Sequence, residues 1–201
     1  MLDRIALKLV KPAVEAAAAR LSARGLTADQ ATLTGFGFGM LAAVMIAAGL
    51  TAAAILPLLV NRALDGIDGA LARRAGATGR GAFLDISLDF VFYAAIPLAF
   101  AALAPAENAM AAAVLLAAFV ATGTSFLAFA VIAEKRGLKS TEYPSKSFYY
   151  LGGLTEGTET ILCFLAMCLW PQHFAAIALV YAALCAMTAL TRLIAGWKMF
   201  D

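Results

Sequence analysis

Four acidic side chains in apolar sequence give the strongest chemical signal in this chain. The stretches that read as membrane-spanning helices contain Asp65, Asp68, Asp85 and Asp89. A carboxylate in the hydrocarbon layer costs about 2.5–3.5 kcal/mol, so four unpaired acids would cost roughly 10 kcal/mol. Two divalent ions carry four positive charges, and carboxylate oxygens suit hard cations. We therefore expect a site for two divalent metal ions, either Mg²⁺ or Mn²⁺.

Helical spacing predicts that these acids can meet. Residues four apart lie one above another on a helix, as Asp85 and Asp89 do, while Asp65 and Asp68 fall on neighbouring ridges. A short turn over residues 75–80 would join the two helices antiparallel, with the acids facing each other near the turn. Two metal ions about 3.5–4 Å apart can clamp a phosphate during transfer. A polar network between helices, or an ion pathway, is the alternative for such acids.

Composition and hydropathy indicate a membrane protein. The chain has 201 residues, of which 63% are hydrophobic and 14% charged, against about 25% charged in soluble proteins. We predict an all-α fold in one domain over residues 1–201. An interfacial helix over 1–25 precedes a bundle of six transmembrane helices over 32–194. The predicted spans are 32–50, 51–72, 82–104, 109–133, 148–170 and 172–194.

Basic residues predict the orientation in the membrane. The connections 49–50, 104–108 and 171–173 contain no Lys or Arg, so all 15 basic residues fall on the other side or at its boundary. The positive-inside rule places that side, with both termini and the acids, in the cytoplasm. The basic amphipathic segment 1–25 favours a helix on the anionic leaflet. A soluble helix packed on the cytoplasmic loops is the alternative.

The acidic motif resembles that of a known family. Eight positions at fixed spacing are similar to the complete signature of the CDP-alcohol phosphotransferases, also called CDP-alcohol phosphatidyltransferases: Asp65, Asp68, Gly69, Ala72, Arg73, Gly81, Asp85 and Asp89. The length, the six spans and the N-terminal helix also resemble that family. The resemblance implies that a substituted phosphoryl group moves from a CDP-linked alcohol to an acceptor hydroxyl, with release of CMP.

The resemblance also assigns roles. It implies that the metal ligands are Asp65, Asp68, Asp85 and Asp89, and that Asp89 is the base for the acceptor hydroxyl. The positions around the cytidine diphosphate are Thr32, Asp65, Gly69, Ala72, Arg73 and Gly81. Thr32 ends a degenerate form of the family's Thr-Pro-Asn-x-x-Thr segment, in which Ala28 and Asp29 replace Pro and Asn.

The acceptor site is left open by the sequence. Lys146 opens the fifth predicted span beside a polar run that contains Glu156 and Glu159, three residues apart on one face. These groups either line an acceptor pocket or satisfy each other and Arg192 through hydrogen bonds. The run from Lys146 to Thr160 also resembles a bacterial inner-membrane branch of the family, a resemblance that supplies no acceptor.

These observations predict a metal-dependent transferase of phospholipid synthesis in the bacterial inner membrane. We expect CDP-diacylglycerol as the donor, membrane lipid around the spans and no nucleic-acid partner, and the resemblance implies a homodimer. Transfer from CDP-choline or CDP-ethanolamine to diacylglycerol is the alternative within the enzyme class. A divalent-cation transporter is the alternative outside it.

Overall fold

A computed structural model describes residues 3–137 and 153–200, with side chains from residue 10 onward. All regular structure in those ranges is helical, which confirms the predicted all-α class. The helices are α1 (Asp3–Ser22), α2 (Ala28–Ala47), α3 (Thr51–Ala75), α4 (Gly79–Leu103), α5 (Pro105–Lys135), α6 (Gly157–Leu169) and α7 (Phe174–Phe200), with a 3-10 turn at Pro171–His173.

Local sequence explains where the helices begin and end. Thr27 and Gln30 form a reciprocal capping box that starts α2, and Pro105 occupies the first turn of α5, where its missing N–H costs nothing. Gly49 and Gly76 follow α2 and α3 with φ of +83° and +95°, a region that other residues rarely adopt. The chain therefore reverses sharply after both helices.

Four helices are long and apolar enough to cross a membrane, counted over the described ranges. They are α2, α4, α5 and the segment Pro171–Phe200 that contains α7. Helix α3 has 25 residues but carries several charges. Helix α6 has 13 residues, or about 20 Å, whereas the hydrocarbon core is about 30 Å thick. The predicted span 148–170 thus has described helix only from Gly157, and six spans are not confirmed.

An aromatic core holds the bundle together. Phe92 of α4 packs edge-on against Phe164 of α6 at 6.0 Å between ring centroids. Phe119 of α5 contacts Phe164 and Tyr181 of α7 in the same way, at 6.2 and 6.3 Å. Helix α1 packs separately, burying Ala18 in a small cluster with residues of α2 and α3. This cluster fixes α1 beside the end of α3 that carries the acidic motif.

Candidate active site

The α3–α4 hairpin positions the acidic residues. Helix α3 ends at Ala75 and α4 begins at Gly79, so the connection is only three residues long. The Thr78 hydroxyl accepts a hydrogen bond from the Gly81 N–H at 3.0 Å and caps the start of α4. Because the turn is short, the two helices run antiparallel and present their motif residues to each other.

Three of the four predicted acidic ligands come together between these helices. One carboxylate oxygen from each of Asp65, Asp85 and Asp89 lies within 4.8 Å of the other two. Metal–oxygen bonds of about 2.1–2.5 Å allow two ligands of one ion to be at most about 4.2–5 Å apart. Oxygens up to 4.8 Å from one another can therefore serve one divalent ion after at most a small side-chain shift, and carboxylate oxygens suit hard ions such as Mg²⁺ or Mn²⁺.

Asp68 lines the same cleft but is not part of that group of three. The Asp68 residue is only 5% exposed, and its Oδ2 accepts a hydrogen bond of 2.6 Å from the hydroxyl of Thr32. Thr32 comes from α2, so this bond ties a third helix to the acidic hairpin. The sequence-predicted nucleotide residue Thr32 is thus in direct contact with a predicted metal ligand.

Arg62 is the residue of this site that the sequence reasoning misplaced. The charge pattern counts Arg62 only among the 15 basic residues on the predicted cytoplasmic side or at its boundary, at or near the connection between the second and third predicted spans. Arg62 instead lies one turn before Asp65 inside α3, with a side chain 15% exposed. Its Nη2 donates to Asp89 Oδ1 at 2.8 Å, and its Nη1 lies 3.5 Å from Asp65 Oδ2. The i, i+3 spacing to Asp65 was the available signal, because residues three apart share a helix face.

Helix α2 forms the opposite wall of the cleft. A Cβ on Gly35 would lie 3.1 Å from Leu64 Cβ, so α2 and α3 approach closely at this point. Asn61 reinforces the contact by donating from Nδ2 to the Gly35 carbonyl at 2.9 Å. The cleft is lined by Thr32, Gly35, Phe36, Asn61, Arg62, Asp65, Asp68, Asp85, Leu88 and Asp89.

The other predicted nucleotide residues lie nearer the turn. Arg73 is exposed in the last turn of α3, and its Nη1 lies 3.5 Å from where a Gly69 Cβ would be. Arg73 Nη2 donates to Glu15 of α1 at 3.0 Å, so its charge is paired with that helix. Ala72 is half-buried between these positions. The structure does not group Gly69, Ala72 or Arg73 with the residues that line the cleft.

The start of α4 meets the start of α2. A Cβ on Gly81 would lie 3.3 Å from Asp29 Oδ1 and 3.2 Å from the Thr78 hydroxyl. Asp29 in turn forms an ion pair of 2.5 Å with Arg80. The degenerate segment that ends at Thr32 thus lies against the Gly81 position of the motif.

The glutamates of the predicted acceptor pocket have a different geometry from the one expected. Glu156 is not on a helix face with Glu159, since it immediately precedes α6 and caps it. The Glu156 N–H donates to Glu159 Oε2 at 3.2 Å, and Glu156 Oε1 accepts from the Gly153 N–H at 3.1 Å. These bonds hold both glutamate side chains at the start of α6. Lys146 lies outside the described residues.

Comparison with known families decides between the enzyme and the transporter interpretations. A family model described as CDP-alcohol phosphatidyltransferase matches residues 26–191. The chain belongs to the CDP-alcohol phosphatidyltransferase family. It is also 51% identical over 197 residues to the inner membrane protein YnjF of Escherichia coli strain K12, covering 98% of this chain and 96% of that protein.

Solved structures share the fold of this CDP-alcohol phosphatidyltransferase. The phosphatidylinositol phosphate synthase PgsA1 of Mycobacterium tuberculosis with CDP-DAG bound matches with a TM-score of 0.73 at 22% identity, over 92% of this chain and 93% of that chain. The same synthase in complex with manganese and citrate matches with a TM-score of 0.71 at 23% identity, over 92% and 88%. These similarities show the fold.

Family membership establishes the general activity. The protein is an integral membrane transferase of phospholipid synthesis, as the sequence predicted. The family depends on divalent metal, which agrees with the oxygen cluster of Asp65, Asp85 and Asp89.

Proposed function

We propose that this enzyme transfers a phosphatidyl group from CDP-diacylglycerol to an acceptor hydroxyl and releases CMP. The carrying observation is the convergence of Asp65, Asp85 and Asp89 within 4.8 Å between α3 and α4. Support for the donor comes from the PgsA1 fold match, since that synthase was solved with CDP-DAG bound. The alternative donors are CDP-choline and CDP-ethanolamine, and the experiment below includes CDP-choline to represent them.

The proposed reaction is a displacement at phosphorus. The acceptor oxygen forms a bond to the phosphorus that carries diacylglycerol, and the bond from that phosphorus to the bridging oxygen breaks. CMP leaves with the bridging oxygen, and the hydroxyl proton passes to a base. Two divalent ions, when bound, would hold the diphosphate and stabilise its negative charge. The four aspartates are the proposed ligands, with Asp68 held ready by Thr32.

Asp89 is the proposed base. Its side chain is 29% exposed, so it can be reached from the cleft that it lines. The contact between its Oδ1 and Arg62 orients the carboxylate. A positioned general base contributes about 10²–10⁴-fold to a proton transfer.

The donor's cytidine diphosphate is proposed to lie at the turn end of the cleft. Gly69, Ala72 and Gly81 present little or no side chain there, which leaves room for a nucleotide near the backbone. Arg73 is the proposed phosphate contact, because a guanidinium offers two parallel donors. Arg73 pairs with Glu15 in this structure, so the donor phosphate would replace the Glu15 carboxylate as the partner of Arg73.

The proposed membrane arrangement keeps the six spans in a single domain. Helices α3 and α6 would cross the membrane in addition to the four apolar spans, which gives six. Helix α1 would lie along the membrane surface against α3. The basic residues support a cytoplasmic location for both termini and the cleft. The similarity to an inner membrane protein of E. coli supports the inner membrane. We also propose a homodimer.

The acceptor is the least constrained part of the proposal. We retain Lys146, Glu156 and Glu159 as acceptor-binding residues to be tested. Glu156 is buried and caps α6, and α6 contacts both α1 and α3. Any acceptor contact by Glu156 or Glu159 would therefore occur at the start of α6.

CMP release from purified protein tests the proposal. Radiolabelled CDP-diacylglycerol and CDP-choline should be offered separately with Mn²⁺ or Mg²⁺ and with EDTA. Glycerol 3-phosphate, serine, inositol phosphate and phosphatidylglycerol serve as acceptors. We expect metal-dependent CMP release from CDP-diacylglycerol with one of these acceptors. CMP release from CDP-choline with diacylglycerol as acceptor, and none from CDP-diacylglycerol, would contradict the donor assignment.

A further inference from the structure

Arg62 is a cation built into the acidic site. It contacts two of the three clustered carboxylates, with Nη2 at 2.8 Å from Asp89 and Nη1 at 3.5 Å from Asp65. Arginine keeps its charge at any physiological pH. The acids therefore have a permanent positive partner that belongs to the chain itself.

The guanidinium of Arg62 is fixed from several directions. Its Nε donates to Asn61 Oδ1 at 2.7 Å, and Asn61 is anchored in turn to the Gly35 carbonyl. Its Cζ lies 4.7 Å from the ring centroid of Phe92 and 5.6 Å from that of Tyr93, both within cation–π range. Its Nη1 also donates to the Tyr93 hydroxyl at 3.3 Å. The guanidinium of Arg62 is therefore fixed in place, unlike that of a surface arginine, whose ion pairs contribute little to stability.

The same carboxylates are proposed to bind a divalent ion. An oxygen that accepts a short hydrogen bond from a guanidinium offers less negative charge to a metal. Arg62 and the ion therefore compete for Asp89 and Asp65. Without an ion, the acids would repel each other, and Arg62 offsets part of that repulsion.

We propose that Arg62 is a positioning residue and the counter-cation of the acidic site: it holds Asp89 toward Asp65 before an ion binds, and it weakens ion binding. This inference rests on the proposed metal site. A tightly bound ion would be slow to exchange, whereas a site with its own counter-cation stays assembled while ions and products leave.

The test is Mn²⁺ affinity of the full chain in detergent, measured from the EPR signal of free Mn²⁺. A unit charge about 6 Å from a divalent ion, screened as in water, changes ion binding by about tenfold. Arg62→Gln should therefore tighten Mn²⁺ binding by about tenfold. Arg62→Lys keeps the charge and should bind Mn²⁺ like the wild type. Arg74→Gln is the matched control, since it removes one charge at an exposed arginine that pairs with Glu15, and its Mn²⁺ affinity should not change.

Thermal unfolding gives the second readout. We expect Arg62→Gln to lower the unfolding midpoint in EDTA and to recover most of that loss in saturating Mn²⁺. A variant that purifies only with Mn²⁺ present would give the same support. A residue with only a packing role would instead destabilise both states equally.

Each contrary outcome has its own meaning. If the wild type binds Mn²⁺ and Arg62→Gln binds it equally well or more weakly, the role proposed for Arg62 is wrong. The proposed metal site is not affected by that result. That role is also overturned if Arg62→Lys behaves like Arg62→Gln, or if Mn²⁺ does not restore stability. A wild type that binds no Mn²⁺ overturns both this inference and the proposed metal site.

Discussion

Removing the Thr32 hydroxyl isolates one bond of the proposed metal site. Thr32 Oγ1 lies 2.6 Å from Asp68 Oδ2 and 3.1 Å from the Ala28 carbonyl of its own helix. Valine has nearly the same shape, so Thr32→Val removes the hydroxyl with little change in packing. Asp68 is only 5% exposed, so water cannot easily replace the lost donor.

The expected magnitude follows from the charge on Asp68. A hydrogen bond to a charged group contributes about 1.5–3 kcal/mol, which corresponds to about 10–150-fold in an equilibrium or a rate. If Asp68 is a metal ligand oriented by Thr32, kcat/KM for CDP-diacylglycerol should fall by about tenfold or more at limiting Mn²⁺. Saturating Mn²⁺ should restore part of the loss by mass action.

Thr34→Val is the matched control for this experiment. Thr34 lies on the same helix, and its hydroxyl donates to the Gln30 carbonyl at 2.7 Å. Both variants therefore lose a threonine hydroxyl that lies within hydrogen-bond distance of a carbonyl of its own helix, and only Thr32→Val also removes the donor to Asp68. Radiometric CMP release over a Mn²⁺ series measures both. Equal activity of the two variants at limiting Mn²⁺ would refute the role given to Thr32.

Three further predictions follow from the same geometry. Asp89→Asn should reduce CMP release by at least about 100-fold while the protein still purifies folded, and a rate close to wild type would exclude Asp89 as the base. Arg73→Lys loses the two-donor fork that would bind the donor phosphate, so kcat/KM for CDP-diacylglycerol should fall by about fivefold, the value of one lost hydrogen bond; unchanged kinetics would argue against that contact. Gly39→Ala would place a Cβ 2.6 Å from a buried aromatic ring and should destabilise by about 1–3 kcal/mol. Gly37→Ala on the same helix meets nothing within 4 Å, and its unfolding midpoint should not fall; equal midpoints for the two variants would contradict the packing described for α2.

Sequence reasoning predicted the helical class and the approach of the acidic residues because both follow from periodicity. The predicted span 51–72 lies within α3, at Thr51–Ala75, and 82–104 corresponds to α4 at Gly79–Leu103. With a three-residue connection between them, antiparallel packing was the simplest outcome, and Asp65 and Asp89 do meet.

The differences at Arg62 and at the two glutamates arose because sequence rules give no information on side-chain direction. The positive-inside rule counts basic residues near loops, so it grouped Arg62 with the turn although that side chain packs against α4. Glu156 and Glu159 were placed on one helix, because spacing alone does not show where a helix begins. Their Glu-x-x-Glu spacing was also a signal for a helix N-terminus, since a capping box places its two side chains three residues apart.

The central claim is that the aspartates of α3 and α4 hold the divalent ions of a CDP-alcohol transferase. A crystal structure of the protein with Mn²⁺, phased to show anomalous scattering from manganese, tests it most directly. We expect anomalous density in the cleft, about 2.0–2.5 Å from carboxylate oxygens of Asp65, Asp85 and Asp89. Anomalous density only elsewhere, or none at a Mn²⁺ concentration that supports CMP release, would contradict the account.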